Sequence, residues 1–395
     1  MLIFVGLVMA VIVLIHVYLW KRLVRDPLPK GKARRAGEIV AVLLTLLLPA
    51  TLIGTRSGHL EFLAWPGYVW LALMFYLLVA LVALEIPRLA VRLVWRNQRA
   101  KPAAQPESDN TAESDNTAEN DKTADRRLVL ARGAAIFAGL TAAGITGYGM
   151  KTALGPPQLN RVQIPLAKLP RAMDQTRLAV VSDIHLGPLT GSHHVGRIVD
   201  LINSVNADIV CVVGDLVDGS VAELGRFATP LADIESRQGA YFVTGNHEYY
   251  SGFAPWIDEV SRLGVRPLRN ERVELGGLDL AGVNDLGGTQ YGDAPDFGKA
   301  LGNRDTGRPI VLMAHQPLAV HQAAPYGIDL QVSGHTHGGQ MAPFNLLVKL
   351  QQPVVSGLGR VDGVPVFVTN GAGFWGPPVR VGAPPQVTVV ELRAA

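Results

Sequence analysis

LAVVSDIHLG (Leu178–Gly187) and IVCVVGDLVDG (Ile209–Gly219) share one layout. Each is a run of four or five small or β-branched apolar residues that stops at a serine or glycine followed by an aspartate. Runs this short, rich in valine and bounded by turn residues, read as strands buried on both faces. Between them, Val195–Val205 has apolar residues at helical spacing, so the unit is strand, helix, strand. Further strands are expected at Tyr241–Thr244, Leu278–Val283, Ile310–Met313, Leu330–Ser333, Val364–Thr369 and Val387–Leu392. Many short strands with few long helices make residues 155–395 an α/β domain of stacked sheets.

Metal-capable residues recur where these runs end: Asp183 and His185, Asp215, Asn246 and His247, His315, then His335 and His337. A strand end is where a rigid sheet aims side chains into a shared cleft, so distant segments can converge there. Taken singly, DxH, GD and GNH read as turns; only GHTHGG, two histidines among glycines that allow close backbone approach, stands out alone. The joint pattern reverses that reading. His193, His194 and His321 fit no ligand position and read as surface or helix-start residues. Arg380 has no supporting motif and reads as structural, while Phe374 and Trp375 fit either core packing or contact with an apolar group. The single cysteine, Cys211, lies in an apolar run, which excludes an intramolecular disulfide and a cysteine zinc site and marks an inert core thiol.

The ordered series SDIH (182–185), GDLVD (214–218), GNHE (245–248), AHQP (314–317) and GHTHGGQ (334–340) resembles the calcineurin-like metallophosphoesterase family, over about Leu178 to Gln340. With the apolar N-terminal part, it is similar to the membrane-bound bacterial branch. The resemblance implies a four-layer sandwich, two sheets flanked by helices, following an all-α transmembrane region. It also implies that Asp183, His185 and His337 hold one metal, that Asn246, His315 and His335 hold another, and that Asp215 bridges them. Carboxylate, imidazole and amide donors suit two divalent ions such as Mn, Fe or Zn. Ions about 3.5–4 Å apart clamp a phosphate and generate a metal-bound hydroxide, so no protein nucleophile is required. His247 would face the substrate as the catalytic proton donor. Glu248 stands where many relatives have aspartate and is expected to orient an imidazole; Asp218 is expected to support the ligands.

The 395 residues are 48% hydrophobic and 17% charged, with mean hydropathy +0.22. Part of the chain therefore belongs in lipid. A net charge of +3, with basic residues beside apolar runs, argues against a nucleic-acid partner. Apolar runs at Met1–Trp20, Ile39–Ile53, Trp65–Ile86 and Leu128–Leu154 give four expected spans. No basic region precedes the first run, so it reads as an anchor rather than a cleaved signal. The resulting division is 1–100 with three spans, 101–127 as a disordered polar cytoplasmic loop, 128–154 as the fourth span, and 155–395 as the catalytic domain. The loop reading rests on the near repeat ESDNTAESDNTAEN. Basic residues follow span one (Lys21, Arg22, Arg25, Lys30, Lys32, Arg34, Arg35) and span three (Arg88, Arg92, Arg96, Arg99, Lys101). The positive-inside rule then puts the catalytic domain on the extracytoplasmic face of the cytoplasmic (inner) membrane. Arg126–Arg127 as a twin-arginine signal is a poor match, and it too would export the domain.

The expected function is a membrane-anchored, metal-dependent phosphoesterase that cleaves a phosphodiester or pyrophosphate bond, with a lipid or cell-envelope substrate. One rival is a sensor or scaffold with a structural metal site. Another is a transporter, which needs ionisable residues inside the spans; His16 is the clear candidate.

Overall fold

The structure, a computed structural model, describes residues 2–56, 59–99 and 112–395. It divides into two compact units, Met1–Gly147 and Tyr148–Ala395. The N-terminal helices are α1 (Leu2–Trp20), α2 (Lys32–Arg56), α3 (Ala64–Arg99) and α4 (Ala112–Leu154). Among the described residues, four segments are long and apolar enough to cross a membrane: Gly6–Arg25, Lys32–Thr55, Glu61–Pro87 and Asp125–Leu154. Gly67 of α3 lies against Thr51 of α2 with no room for a Cβ, the close approach that small residues allow between helices in lipid. His16 is fully hydrogen-bonded, Nδ1 to the Ile12 carbonyl at 2.8 Å and Nε2 to the Trp70 indole at 3.1 Å. An imidazole pinned at both nitrogens is poor support for a transport role.

The polar segment departs from expectation. Of the loop read over 101–127, residues 101–111 lie outside the described residues, and from Ala112 onward the backbone is helical and continuous with the fourth apolar run. Alanine, glutamate and lysine are good helix formers, and extending a helix already nucleated in an apolar run costs little.

The second unit carries twelve strands: β1 (Gln158–Leu166), β2 (Arg177–Val181), β3 (Ile209–Val213), β4 (Ala240–Val243), β5 (Val265–Pro267), β6 (Glu271–Leu275), β7 (Leu278–Gly282), β8 (Ile310–Met313), β9 (Leu330–Ser333), β10 (Gly357–Val361), β11 (Val364–Val368) and β12 (Gln386–Ala394). They form two six-stranded sheets, ordered β1-β12-β2-β3-β4-β5 and β10-β11-β9-β8-β7-β6. The period-2 pattern of the apolar runs builds the layers. Leu178, Val180, Ile209, Cys211 and Val213 of one sheet meet Leu280, Val311, Met313 and Val332 of the other in a central core. The alternate residues Ala179, Val181, Val210 and Val212 face outward under α5 (Ser192–Asn203), α6 (Val221–Ala228) and, beyond α7 (Asn246–Ser251), α8 (Phe253–Arg262). On the far side, Ile310, Leu312 and Val366 pack under α9 (Phe297–Leu301) and α10 (Val320–Ala323). The result is the four-layer sandwich, and burial pushes the Cys211 thiol up to about 12.

Neighbouring strands β2, β3 and β4 are parallel, as are β7, β8 and β9, so the residues following each set emerge at one end. β1 runs parallel to β12, which is antiparallel to β2. The chain therefore enters this unit at the same end where β2, β3 and β4 finish.

Candidate metal centre

The structure brings the strand-end residues together in two groups, Asp183 with His185 and His337, all buried, and Asp215 with His315 and the half-buried His335; a third group, His185 with Asp218 and His247, overlaps the first. Within each group the ligand-capable atoms lie within 4.8 Å of one another. Asp215 stands between them, its Oδ2 lying 3.0 Å from His315 Nε2 and 3.9 Å from His185 Nε2. Asn246 begins α7, and its side-chain oxygen is buried without a hydrogen-bond partner. His247 follows, with Nε2 4.0 Å from Asp215 Oδ2.

Backbone geometry shows what holds these side chains in place. Asp183, His185, Asp215, His335 and His337 all have φ between 48° and 70°, the left-handed region that non-glycine residues rarely occupy. Strain concentrated at converging polar residues is the signature of a site whose surroundings over-determine it. Backbone donors fix the carboxylates: His335 N–H reaches both Asp183 oxygens at 3.1 Å, and His247 N–H reaches Asp215 Oδ1 at 2.8 Å. Gly245 packs so closely on Asp215 that a Cβ would overlap the carboxylate.

Second contacts set the imidazoles. His315 donates Nδ1–H to the Val213 carbonyl at 2.7 Å, which leaves Nε2 to face Asp215. Asp218 Oδ1 accepts from Nδ1 of both His185 (2.9 Å) and His247 (2.6 Å), so one carboxylate orients two rings. Glu248 does not orient an imidazole as expected. It accepts from the backbone N–H groups of Asp215, Leu216 and Gly245 at 3.0, 2.7 and 2.5 Å, because its place in the first turn of α7 points it back at those orphan donors.

Burial acts first on every titratable group here, and the neighbours decide the outcome. Against burial, His315 and His247 hold Asp215 well below the usual carboxylate range, and His185 with His247 hold Asp218 near 2. Burial raises Asp183. Burial and the His315 charge push His335 down to about 3, while burial and Arg380 put His337 well below its ordinary value. These two rings are neutral, as ligand imidazoles must be. His315 is raised well above its ordinary value by Asp215, and His247 to about 9 by Asp215 and Asp218, both against burial. Protons here sit where cations would relieve the same carboxylates. With the unpartnered Asn246 oxygen, this oxygen-and-nitrogen donor set fits divalent ions of the borderline class.

Arg380, read from sequence as structural, is 0% exposed and ties the cluster's edge together. It donates to the carbonyls of Gly373, His337 and Asn370 and to His337 Nδ1 at 3.1 Å. A neutral His337 that accepts at Nδ1 carries its proton on Nε2, the atom 3.0 Å from His185 Nε2 and 3.4 Å from Asp183. Ligation through Nε2 thus requires that proton to leave or to move to Nδ1. Nothing in the sequence around Arg380 signals this role. Asp285 was also missed: it lies just past the end of β7, buried and held by Gln316 at 2.9 Å, and the strand-end rule could have found it. His193 and His194 begin α5 and His321 pairs with Asp362, so none joins the cluster. Phe374 is buried, whereas Trp375 is 58% exposed with its ring 5.9 Å from that of His247.

Residues 176–339 match the calcineurin-like phosphoesterase family. A zebrafish transmembrane protein with metallophosphoesterase domain is 38% identical over 274 residues, 66% of this chain and 63% of that protein. An uncharacterized metallophosphoesterase of Helicobacter pylori is 38% identical over 256 residues, covering 64% of this chain and 68% of its own. Another from Aquifex aeolicus is 33% identical over 241 residues, 60% of this chain and 92% of the relative. The chain thus spans less than two thirds of the zebrafish protein and nearly all of the Aquifex one.

Proposed function

We propose, on the premise that this chain belongs to the calcineurin-like phosphoesterase family, that it is a membrane-anchored hydrolase that cleaves a phosphodiester or pyrophosphate bond of a lipid or cell-envelope molecule. In this reading Asp183, His185 and His337 hold one divalent ion, Asn246, His315 and His335 hold a second, and Asp215 is shared. Bound there, Mn, Fe or Zn would supply positive charge to the phosphoryl oxygens and acidify a water. The observation that carries the reading is the convergence of the two carboxylate–imidazole groups on Asp215.

His247 supplies the proton. Its Nδ1–H donates to Asp218, and with its pKa raised to about 9 the ring is an imidazolium, so Nε2 also carries a proton that a leaving oxygen can take. Edge contacts with His185, Tyr250 and Trp375 pin the ring. Arg380 uses its donors on carbonyls and His337, which leaves it none for a phosphate and favours a singly charged diester over a dianionic monoester.

The test is hydrolysis of bis(p-nitrophenyl) phosphate and p-nitrophenyl phosphate by the full chain in detergent, stripped of metal and then given Mn²⁺ or Zn²⁺. Activity should return with metal, favour the diester, and fall about 100-fold or more in Asp215→Asn and His247→Ala. Equal activity with and without metal, or in either variant, overturns the assignment.

A further inference from the structure

The end of α4 is built into the catalytic unit. Gly149 accepts a hydrogen bond from Arg380 N–H at 2.9 Å, and Val379 and Val381 press on it so closely that a Cβ there would sit 2.5 Å from a Val379 methyl. Arg197 reaches the carbonyl of Leu154, the last residue of α4, at 3.2 Å, capping that terminus. Gly149 and Leu154 both lie in the apolar segment Asp125–Leu154, which is long enough to cross a membrane. A helix that crosses a bilayer over this segment ends near its surface.

The same loop leads to an exposed apolar segment. Val381 bonds the Gln340 carbonyl at 2.8 Å and pairs with Met341, and Ala342 returns a bond to Val381 at 3.0 Å. The next residues, Phe344–Leu350 (FNLLVKL), wind through the short helix α11 (Asn345–Val348). Leu346, Leu347 and Leu350 are 60%, 58% and 84% exposed, Phe344 is also exposed, and Lys349 is the one charge among them. Large aliphatic side chains crowded this way on a soluble surface mark an interaction site. An apolar face with a lysine at its border is the composition that lies in a lipid interface. The segment follows directly on His337 and Gln340 of the metal-centre loop, and Gln340 in turn holds Trp375 and Pro377.

We infer that Phe344–Leu350 docks on the bilayer that α4 crosses, so that the strand-end face bearing the metal centre is held against the lipid surface. The occupant is the membrane rather than a protein, because the segment adjoins the end of the spanning helix through a continuous run of backbone hydrogen bonds. Under the phosphoesterase reading, on which this clause rests, the substrate is then a phosphoester whose apolar part stays in the membrane while its head group enters beside Trp375.

The test uses the full chain in nanodiscs of phosphatidylcholine and phosphatidylglycerol. An environment-sensitive fluorophore is placed at Leu347→Cys, Leu350→Cys or, at the opposite end of the sandwich, Ala232→Cys; Cys211 is fully buried and does not compete. Emission from the two leucine positions should shift to the blue and be quenched about twofold or more by doxyl-labelled lipid, with position 232 unaffected. Solvent-like emission at all three positions, or a shift that follows protein concentration as a contact between copies would, overturns the inference. In parallel, a Leu346→Glu, Leu347→Glu, Leu350→Glu chain should keep its activity on soluble bis(p-nitrophenyl) phosphate and lose about tenfold on bilayer-borne hexadecyl p-nitrophenyl phosphate. Equal loss on both esters, or on neither, contradicts docking. If the parent chain turns over neither ester, the hydrolase reading fails, while the fluorescence still decides the docking.

Discussion

Asp218 and His247 are two single residues whose roles in the proposed site can be separated. Because Asp218 accepts from the Nδ1 of His185 and of His247, an Asp218→Asn chain should retain its fold and lose metal affinity by ~10–100-fold, read by titration of the stripped protein with Mn²⁺. An unchanged affinity would mean that the rings are oriented by packing alone. For His247, burial lowers the pKa, but the charge of Asp215 and the bond to Asp218 prevail and raise it to about 9, above the ~6.5 of an unfolded histidine. A group whose folded pKa is raised stabilises the fold fully below its unfolded pKa, and that contribution disappears as pH rises through the folded one. In metal-free protein the melting temperature of the parent chain should exceed that of His247→Gln most below pH about 6.5, and the gap should close as pH passes about 9. A gap that stays constant across this range would remove His247 from the charge network.

At the scale of elements, what the sequence disclosed and what it hid follow one physical rule. The eight interior strands, β2, β3, β4, β7, β8, β9, β11 and β12, are valine- and leucine-rich runs read directly from the chain. The four that escaped, β1, β5, β6 and β10, are the four sheet edges. Edge strands carry charge and glycine to avoid pairing with other chains, as Asn160 and Arg161, Arg266, Glu271 to Glu274, and Gly357 to Arg360 do here, and so lose the apolar signal. The eight candidate site residues stood out because each follows an interior strand, whereas Arg380 did not, since its contacts depend on a long-range fold-back onto His337. The second compact unit begins at Tyr148, inside the apolar run, whereas the sequence reading placed the domain start at 155. A chain beginning at Tyr148 should therefore fold, whereas one beginning at Gly155 leaves Arg380 N–H and the faces of Val379 and Val381 uncovered. A lost hydrogen bond and two uncovered methyl surfaces cost about 2 kcal/mol, so the shorter chain should melt roughly 4–8 °C lower in calorimetry. Equal melting temperatures would show that the last turns of α4 belong to the membrane part alone.

For the whole molecule, the open quantity with the largest consequence is the side of the membrane on which the sandwich lies. Basic residues gather after α1 and after the apolar part of α3, while the connection between α2 and α3 carries just Arg56 and Glu61 as full charges. We propose that the positive flanks lie in the cytoplasm, so that a fourth crossing by Asp125–Leu154 would place the sandwich that follows it on the outer face. The membrane potential opposes the reverse arrangement, since each elementary charge moved across 100 mV costs about 2.3 kcal/mol. A reporter fused after Ala395, just beyond β12, is the direct measurement. Alkaline phosphatase there should be active and a green fluorescent protein dark, which restricts substrates to molecules of the outer leaflet or envelope. A bright fluorescent fusion with inactive phosphatase would instead place the metal centre at the inner leaflet, where phosphoester lipids still under synthesis are exposed. The docking inference would be unaffected, because the backbone hydrogen bonds that lead from Gly149 through Arg380 and Val381 to Ala342 are the same whichever leaflet they meet.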